Sequence, residues 1–267
     1  MAVVPLRDVS RRPVRFPVAT VSIIVLNGLA FSAELWGGDT FVTRWAATPA
    51  EIVAGHRWIT ILTAMFMHGS WLHIIGNMVF LWAFGPEVED LMGPRRYWAF
   101  YLAGGLAATL SQVAASPGST VSMLGASGAI AAVMGAFLVT YPRDQIRSLL
   151  VIFVFVRVTY IPAAFLIGVW FLMQFLSLGT ITQQATGGVA YAAHVGGFIF
   201  GAVAARLFES RQRLVSKEGT PGSDQMRALP LSYKYGETNQ HRLFRMRAGS
   251  LMRSTSFGDI HRTDVRV

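Results

Sequence analysis

Six apolar stretches, at roughly 17–36, 70–92, 96–116, 125–141, 161–178 and 192–208, restrict what this chain can fold into. About 20 apolar residues in a helix cross a hydrocarbon core of ~30 Å, and several of the stretches reach that length while the others fall slightly short. Soluble domains carry roughly 25% charged residues. Here 14% of 267 residues are charged and 53% are hydrophobic, which excludes an ordinary soluble domain. The expected fold is an all-α membrane protein built as a six-transmembrane-helix bundle. The run "LLVIFVFV" (149–156) is too short to span and lies between Arg147 and Arg157, so it reads as an interfacial or loop segment leading into the fifth helix.

The net charge is +9, and where it falls matters more than its size. Arg7, Arg11, Arg12 and Arg15 precede the first span. Arg95 and Arg96 separate the second from the third, and Arg143, Arg147 and Arg157 separate the fourth from the fifth. The connections 112–123 and 179–190 carry no charge. Basic connections face the cytoplasm, so the alternation predicts a multi-pass protein of the plasma membrane with both termini cytoplasmic. The long outer connection is then 37–69. The N-terminal basic residues precede a span too long for a signal-peptide core, and no cleaved signal is expected. Three regions follow: a cytosolic segment 1–16, a six-helix domain 17–208, and a tail 209–267. That tail is polar and basic, rich in Pro and Gly, without sustained period, and is expected to be disordered in the cytosol. The lipid bilayer is the expected surrounding partner, and nucleic acid is not expected to be one.

Polar groups inside apolar spans are expensive and are functional candidates by default. Asn77, Ser127 and His194 stand out. Asn77 lies twelve residues before Glu89, His194 twelve before Arg206, and Ser127 fourteen before Tyr141. At about 1.5 Å per residue these are heights of ~18, ~18 and ~21 Å above the cytosolic edge, so all three lie in the outer third of the membrane. His73 is four residues before Asn77 and shares its helix face. Gly197 and Gly201 form a GxxxG pair after His194, while Ala131 and Gly135 follow Ser127 at intervals of four, spacings that let helix backbones approach closely. Taken singly, a serine in a Gly/Ala run is more often packing glue than a nucleophile, and a lone His or Asn is often structural. Their common depth favours one shared site.

A serine hydroxyl becomes a nucleophile beside a neutral imidazole. The acids before the tail are Asp8, Glu34, Asp39, Glu51, Glu87, Glu89, Asp90 and Asp144, and none is expected in an apolar span at the depth of Ser127. A Ser127–His194 dyad positioned by packing is therefore expected. Ser127 falls in the first turn of its helix, where backbone N–H groups lack intrahelical partners and can stabilise an oxyanion. Asn77 and His73 can add side-chain donors, and the glycines flanking Ser127 leave room for a substrate backbone. Cysteine is absent, which removes disulfides and thiolate chemistry.

These residues carry a family resemblance. "HGSWLHIIGNM" resembles the histidine–asparagine motif of the rhomboid intramembrane serine proteases, "GASG" their nucleophile motif, and "AHVGGFIFG" their general-base motif. "HRW" (56–58) and "GPEVEDLMG" (85–93) resemble the WR-type element of the first outer loop and the GxxxExxxG end of the second helix. The resemblance covers about 17–208. It implies that Ser127 is nucleophile and His194 general base. It further implies that His73, Asn77 and the Ser127 N–H form an oxyanion site with Gly125 beside it. No cofactor is implied, and transmembrane proteins are the implied substrates. One departure is Ala131, where some members carry an aromatic residue beneath the base histidine, so His194 needs another brace here. Two rivals stand beside this reading. His68, His73 and His194 could supply three imidazoles to zinc, although there is no HExxH. A catalytically inactive protein of the same fold could bind membrane helices, although Ser127, His194, Asn77 and His73 are all present.

Overall fold

The structure, a computed structural model, describes residues 2–10, 13–152, 155–178 and 190–210. The expected tail from 211 onward and most of the neutral connection 179–190 lie outside the described residues. Helices dominate: α1 (Val18–Trp45), the short α2 (Pro49–Val53) and α3 (Thr60–Thr63), a 3₁₀ turn at Ala64–Phe66, then α4 (Trp71–Met92), α5 (Pro94–Ala115), α6 (Ser127–Thr140), α7 (Ala163–Ser177) and α8 (Tyr191–Phe208). Of these, α1 and α8 are long and apolar enough to cross a membrane, and α6 and α7 are apolar but shorter.

Two expectations are corrected. First, the fold is not all-α. β1 (Ala2–Asp8), β2 (Gln145–Ile152) and β3 (Phe155–Pro162) form an antiparallel sheet in that order. Val, Ile, Thr, Tyr and Phe recur through β2 and β3, residues that suit a pleated surface. The run read as a loop is thus part of a strand pair, with Arg147 opposite Tyr160 and Leu150 opposite Arg157. β1 joins from the chain's far end, Val4 opposite Leu149. Second, the helix that breaks near the expected end at 36 resumes: past a kink at the non-helical Gly38 (φ 62°, ψ −161°), a backbone shape that only glycine adopts readily, a further helical stretch runs on to Trp45.

The start of α1 is held from a distance. No side chain of its own caps it. Instead the buried carboxylate of Glu89, on α4, accepts from the N–H groups of Ala19 and Thr20 and from Thr20 Oγ1, at 2.7–2.8 Å. An anion at a helix N-terminus satisfies orphan donors and meets the positive end of the dipole. Gly93, at φ 80°, then turns the chain from α4 into α5.

The middle of the bundle belongs to α6, which is buried without interruption from Gly128 to Phe137. Its fourteen residues span only ~21 Å, so its first residue, Ser127, ends short of a full hydrocarbon crossing. α8 packs on α6 more extensively than any other pair of elements does. The contact is backbone on backbone. A Cβ added at Gly197 would strike the carbonyl of Gly128, one at Gly201 the carbonyl of Ala132, and one at Gly135 the carbonyl of Phe198. The contact stripe on α6 is therefore Gly128, Ala132 and Gly135, which keeps the expected Gly135 and moves the other two members by one residue, from Ser127 and Ala131. That shift leaves Ser127 at the rim of the seam instead of inside it.

Widening this seam should be costly. Gly201→Val should lower stability by about 3 kcal/mol, the upper end of overpacking penalties. Gly168→Ala on α7, where an added Cβ meets nothing within 4 Å, should be neutral or stabilising. Thermal unfolding in detergent micelles reads both. Equal midpoints for the two variants would mean that close backbone approach does not hold α6 to α8.

Candidate functional site

Ser127 is the first residue of α6 and His194 lies in the first turn of α8. The glycine seam brings the two helix starts together, and Ser127 Oγ stands 2.7 Å from His194 Nε2. At the N1 position the Ser127 N–H has no place in the helical hydrogen-bond ladder. A hydroxyl, an imidazole and an N–H outside the helical ladder thus meet at one point.

The loop before α6 is stitched to the connection between α1 and α4. Ala47 and Met123 exchange both backbone hydrogen bonds, at 3.0 and 2.8 Å, and Gly125 N–H donates to Ala64 carbonyl at 2.8 Å. Gly125 takes φ 129°, a left-handed conformation that strains any side chain. It also has no room for one. An added Cβ would stand 2.9 Å from both Cε1 and Nε2 of His73 and 3.6 Å from Ser127 Oγ. The His73 ring therefore packs directly against the glycine beside the serine. Arg57 anchors that same connection with an ion pair to Glu51 at 2.7 Å and hydrogen bonds to the carbonyls of Thr43 and Arg44. That is how the "HRW" segment acts structurally.

α4 contributes two of the expected residues. Ser70 caps it by accepting from the His73 N–H at 3.2 Å. One turn on, Asn77 is buried, and its Nδ2 has no hydrogen-bond partner among the described residues. A buried, unmade amide donor costs about 1–3 kcal/mol, so it is a group waiting for an acceptor. His68 is in the entry loop, as expected, its ring edge-to-face with His73 at 5.0 Å. Burial, reinforced by the neighbouring His73, pushes the His68 imidazole down to about 4, so it is neutral at physiological pH.

Three further residues were not anticipated from the sequence. Gln174 Oε1 lies 2.7 Å from His194 Nδ1, and the Trp170 ring lies 5.8 Å from the imidazole, tilted 39°. Both sit on α7, one helical turn apart, and together they brace His194 in place of the aromatic residue that Ala131 replaces. Both ring nitrogens of His194 are thereby engaged, which disfavours its use as a metal ligand. The third is Glu34. It lies inside α1, four residues before Gly38, and is buried. Its buried carboxylate accepts the His68 N–H, 3.0 Å from each oxygen. A single amide in an apolar helix is the signal that marks Gln174, by the same rule that marks Asn77.

Known proteins match this chain in sequence. Residues 55–211 match the family model for the Rhomboid domain. The chain is 32% identical over 126 residues to Rhomboid protease GluP of Bacillus subtilis, covering 46% of this chain and 24% of that protein. It is 40% identical over 73 residues to Rhomboid-like protein 11, chloroplastic, of Arabidopsis thaliana, covering 27% of this chain and 26% of that one. It is 27% identical over 172 residues to Rhomboid protein 1, mitochondrial, of Saccharomyces cerevisiae, covering 60% and 46%. The matches thus span between about a quarter and a half of the relatives' lengths. The domain model covers more than half of the chain, and the motif-bearing segments 56–58, 68–78, 85–93, 125–128 and 193–201 all fall inside it. The chain belongs to the rhomboid family of membrane-embedded proteins.

Proposed function

We propose that this protein is an intramembrane serine endopeptidase that cuts transmembrane proteins through Ser127 and His194. The observation that carries the reading is the 2.7 Å hydrogen bond between Ser127 Oγ and His194 Nε2 at the half-buried start of α6. The names of the curated relatives point the same way, since one is a rhomboid protease.

The chemistry follows from the groups present. Ser127 Oγ attacks the carbonyl carbon of the scissile bond as its proton passes to His194 Nε2. The carbonyl oxygen becomes an oxyanion, which the Ser127 N–H, the Asn77 amide and the His73 imidazole stabilise. The carbon–nitrogen bond breaks and Nε2 returns the proton to the leaving amine, so an acyl-enzyme remains on Ser127. Water then attacks the ester, giving its proton to Nε2, and Ser127 leaves with that proton. No cofactor takes part. Gly125 keeps the oxyanion corner free of side-chain atoms, which its left-handed backbone permits.

If Ser127 and His194 act as one unit, either alanine replacement should abolish cleavage and the double replacement should be hardly worse. Asn77→Ala should be milder, a loss on the order of 10²- to 10³-fold in rate, because other oxyanion donors remain. Purified protein with a single-span substrate in proteoliposomes reads these rates, and mass spectrometry maps the cut. A cut near the outer end of the substrate helix is expected from the depth of Ser127. A cut at its cytosolic end, or activity that survives Ser127→Ala, contradicts the reading.

The six longer helices are proposed as six membrane spans with both termini in the cytoplasm, because the connections 94–96 and 143–157 are rich in Arg while 112–123 carries no charge. Reporter fusions within 94–96 and after Glu209 should give cytoplasmic signals, and a fusion within 112–120 an outside one. A cytoplasmic signal from 112–120 overturns both the orientation and the outer position of Ser127.

A further inference from the structure

For His194 to take the serine proton, its Nε2 must carry a lone pair, so Nδ1 must carry the ring hydrogen. A neutral imidazole can hold its hydrogen on either nitrogen, and the partner of the other nitrogen decides which. In many hydrolases that partner is a carboxylate. Here no carboxylate contacts the ring among the described residues. What meets Nδ1 is Gln174 Oε1, at 2.7 Å.

The surroundings of Gln174 make this a specific arrangement. It interrupts α7, whose sequence "AAFLIGVWFLMQFLS" is otherwise apolar except for Ser177. Trp170, four residues earlier on the same face, lies against the imidazole and also against Phe198 of α8, ring centroids 6.4 Å apart. α7 therefore grips the ring twice, by its face and by its Nδ1. An amide in a membrane helix is retained at a cost. A carboxylate in its place would cost more, because burying a charge is far dearer than burying a hydrogen-bonded neutral group.

We propose that Gln174 is the orienting partner of His194. Its carbonyl oxygen accepts from Nδ1–H, fixes the ring tautomer with Nε2 free, and aims that lone pair at Ser127. It performs the orienting part of a triad's acid without its charge, and so offers no added electrostatic support to the imidazolium. The opposite amide orientation would donate to Nδ1, move the hydrogen to Nε2 and leave Ser127 without a base. The consequence for rate rests on the protease reading above, whereas the tautomer itself does not.

The test compares two near-isosteric variants. Gln174→Met keeps length and bulk but removes the acceptor, and Gln174→Glu keeps an acceptor in either protonation state. In the full chain with ¹⁵N-labelled histidine in micelles, ring nitrogen shifts report the tautomer, with His194 assigned from His194→Gln. The unaltered protein and Gln174→Glu should show hydrogen on Nδ1, and Gln174→Met should show a mixture. The cleavage rate of Gln174→Met should fall on the order of 10- to 100-fold at unchanged KM and unfolding temperature, the worth of one buried hydrogen bond. Gln174→Glu should recover most of it. A Gln174→Met protein with the native tautomer and full rate overturns the proposal, as do equal losses in both variants, which would make the contact packing alone. Should Ser127→Ala leave turnover untouched, the protease reading fails, and the ring shifts still decide the role of Gln174.

Discussion

The site depends on how closely two helix backbones can approach. α6 and α8 meet where Gly197 lies on the Gly128 carbonyl and Gly201 on the Ala132 carbonyl, contacts that a single Cβ would break. Lipid tails are as apolar as leucine, so packing within a bilayer gains little from the hydrophobic effect and relies on close van der Waals contact. Small residues at i, i+4 and i+7 of α6 supply that contact and also fix the relative height of the two helix starts. A serine on the first residue of one and a histidine in the first turn of the other then fall within hydrogen-bond reach. The seam that stabilises the bundle is the same feature that assembles the pair.

A short central helix adds a second consequence. Because α6 is only fourteen residues long, its N-terminal N–H groups end inside the bundle and require partners there. The Gly125 loop, tied to Ala64 and Ala47 by backbone bonds, lies against His73 at this end. On the opposite side of the bundle, Glu89 satisfies the start of α1 with a carboxylate. The two helix starts are treated differently. That of α1 is closed by a buried anion, and that of α6 is left with donors open beside a serine. In the proposed reaction the transient oxyanion is what those open donors serve.

Much of this is legible in the sequence because membrane helices announce themselves by composition. The boundaries of α4 to α8 fall within about two residues of the apolar stretches, each ended by Pro, Gly or charge. Ser127, His194, Asn77 and His73 stand out since polar groups in such spans are costly. The sheet was harder to read. β1 comes from residues 2–8 and pairs with β2 at 145–152, and pairing across that separation leaves no local trace, whereas β2 and β3 pair locally through a run rich in β-forming residues. Gln174 carried the same signal as Asn77, but its meaning depends on which helix faces His194. The helical stretch beyond Gly38 depends on one backbone conformation that composition does not report, and the burial of Glu34 depends on the entry loop, whose His68 N–H its carboxylate accepts.

The claim that Ser127 and His194 form a working nucleophile and base is tested most directly by a serine-directed fluorophosphonate. The reagent is applied to the intact protein in membranes, and the adduct is located by mass spectrometry. A single adduct on Ser127 is predicted, forming at a rate that collapses in His194→Ala while the folded protein persists. Labelling at another residue, or labelling of Ser127 that proceeds undiminished without His194, would contradict the account.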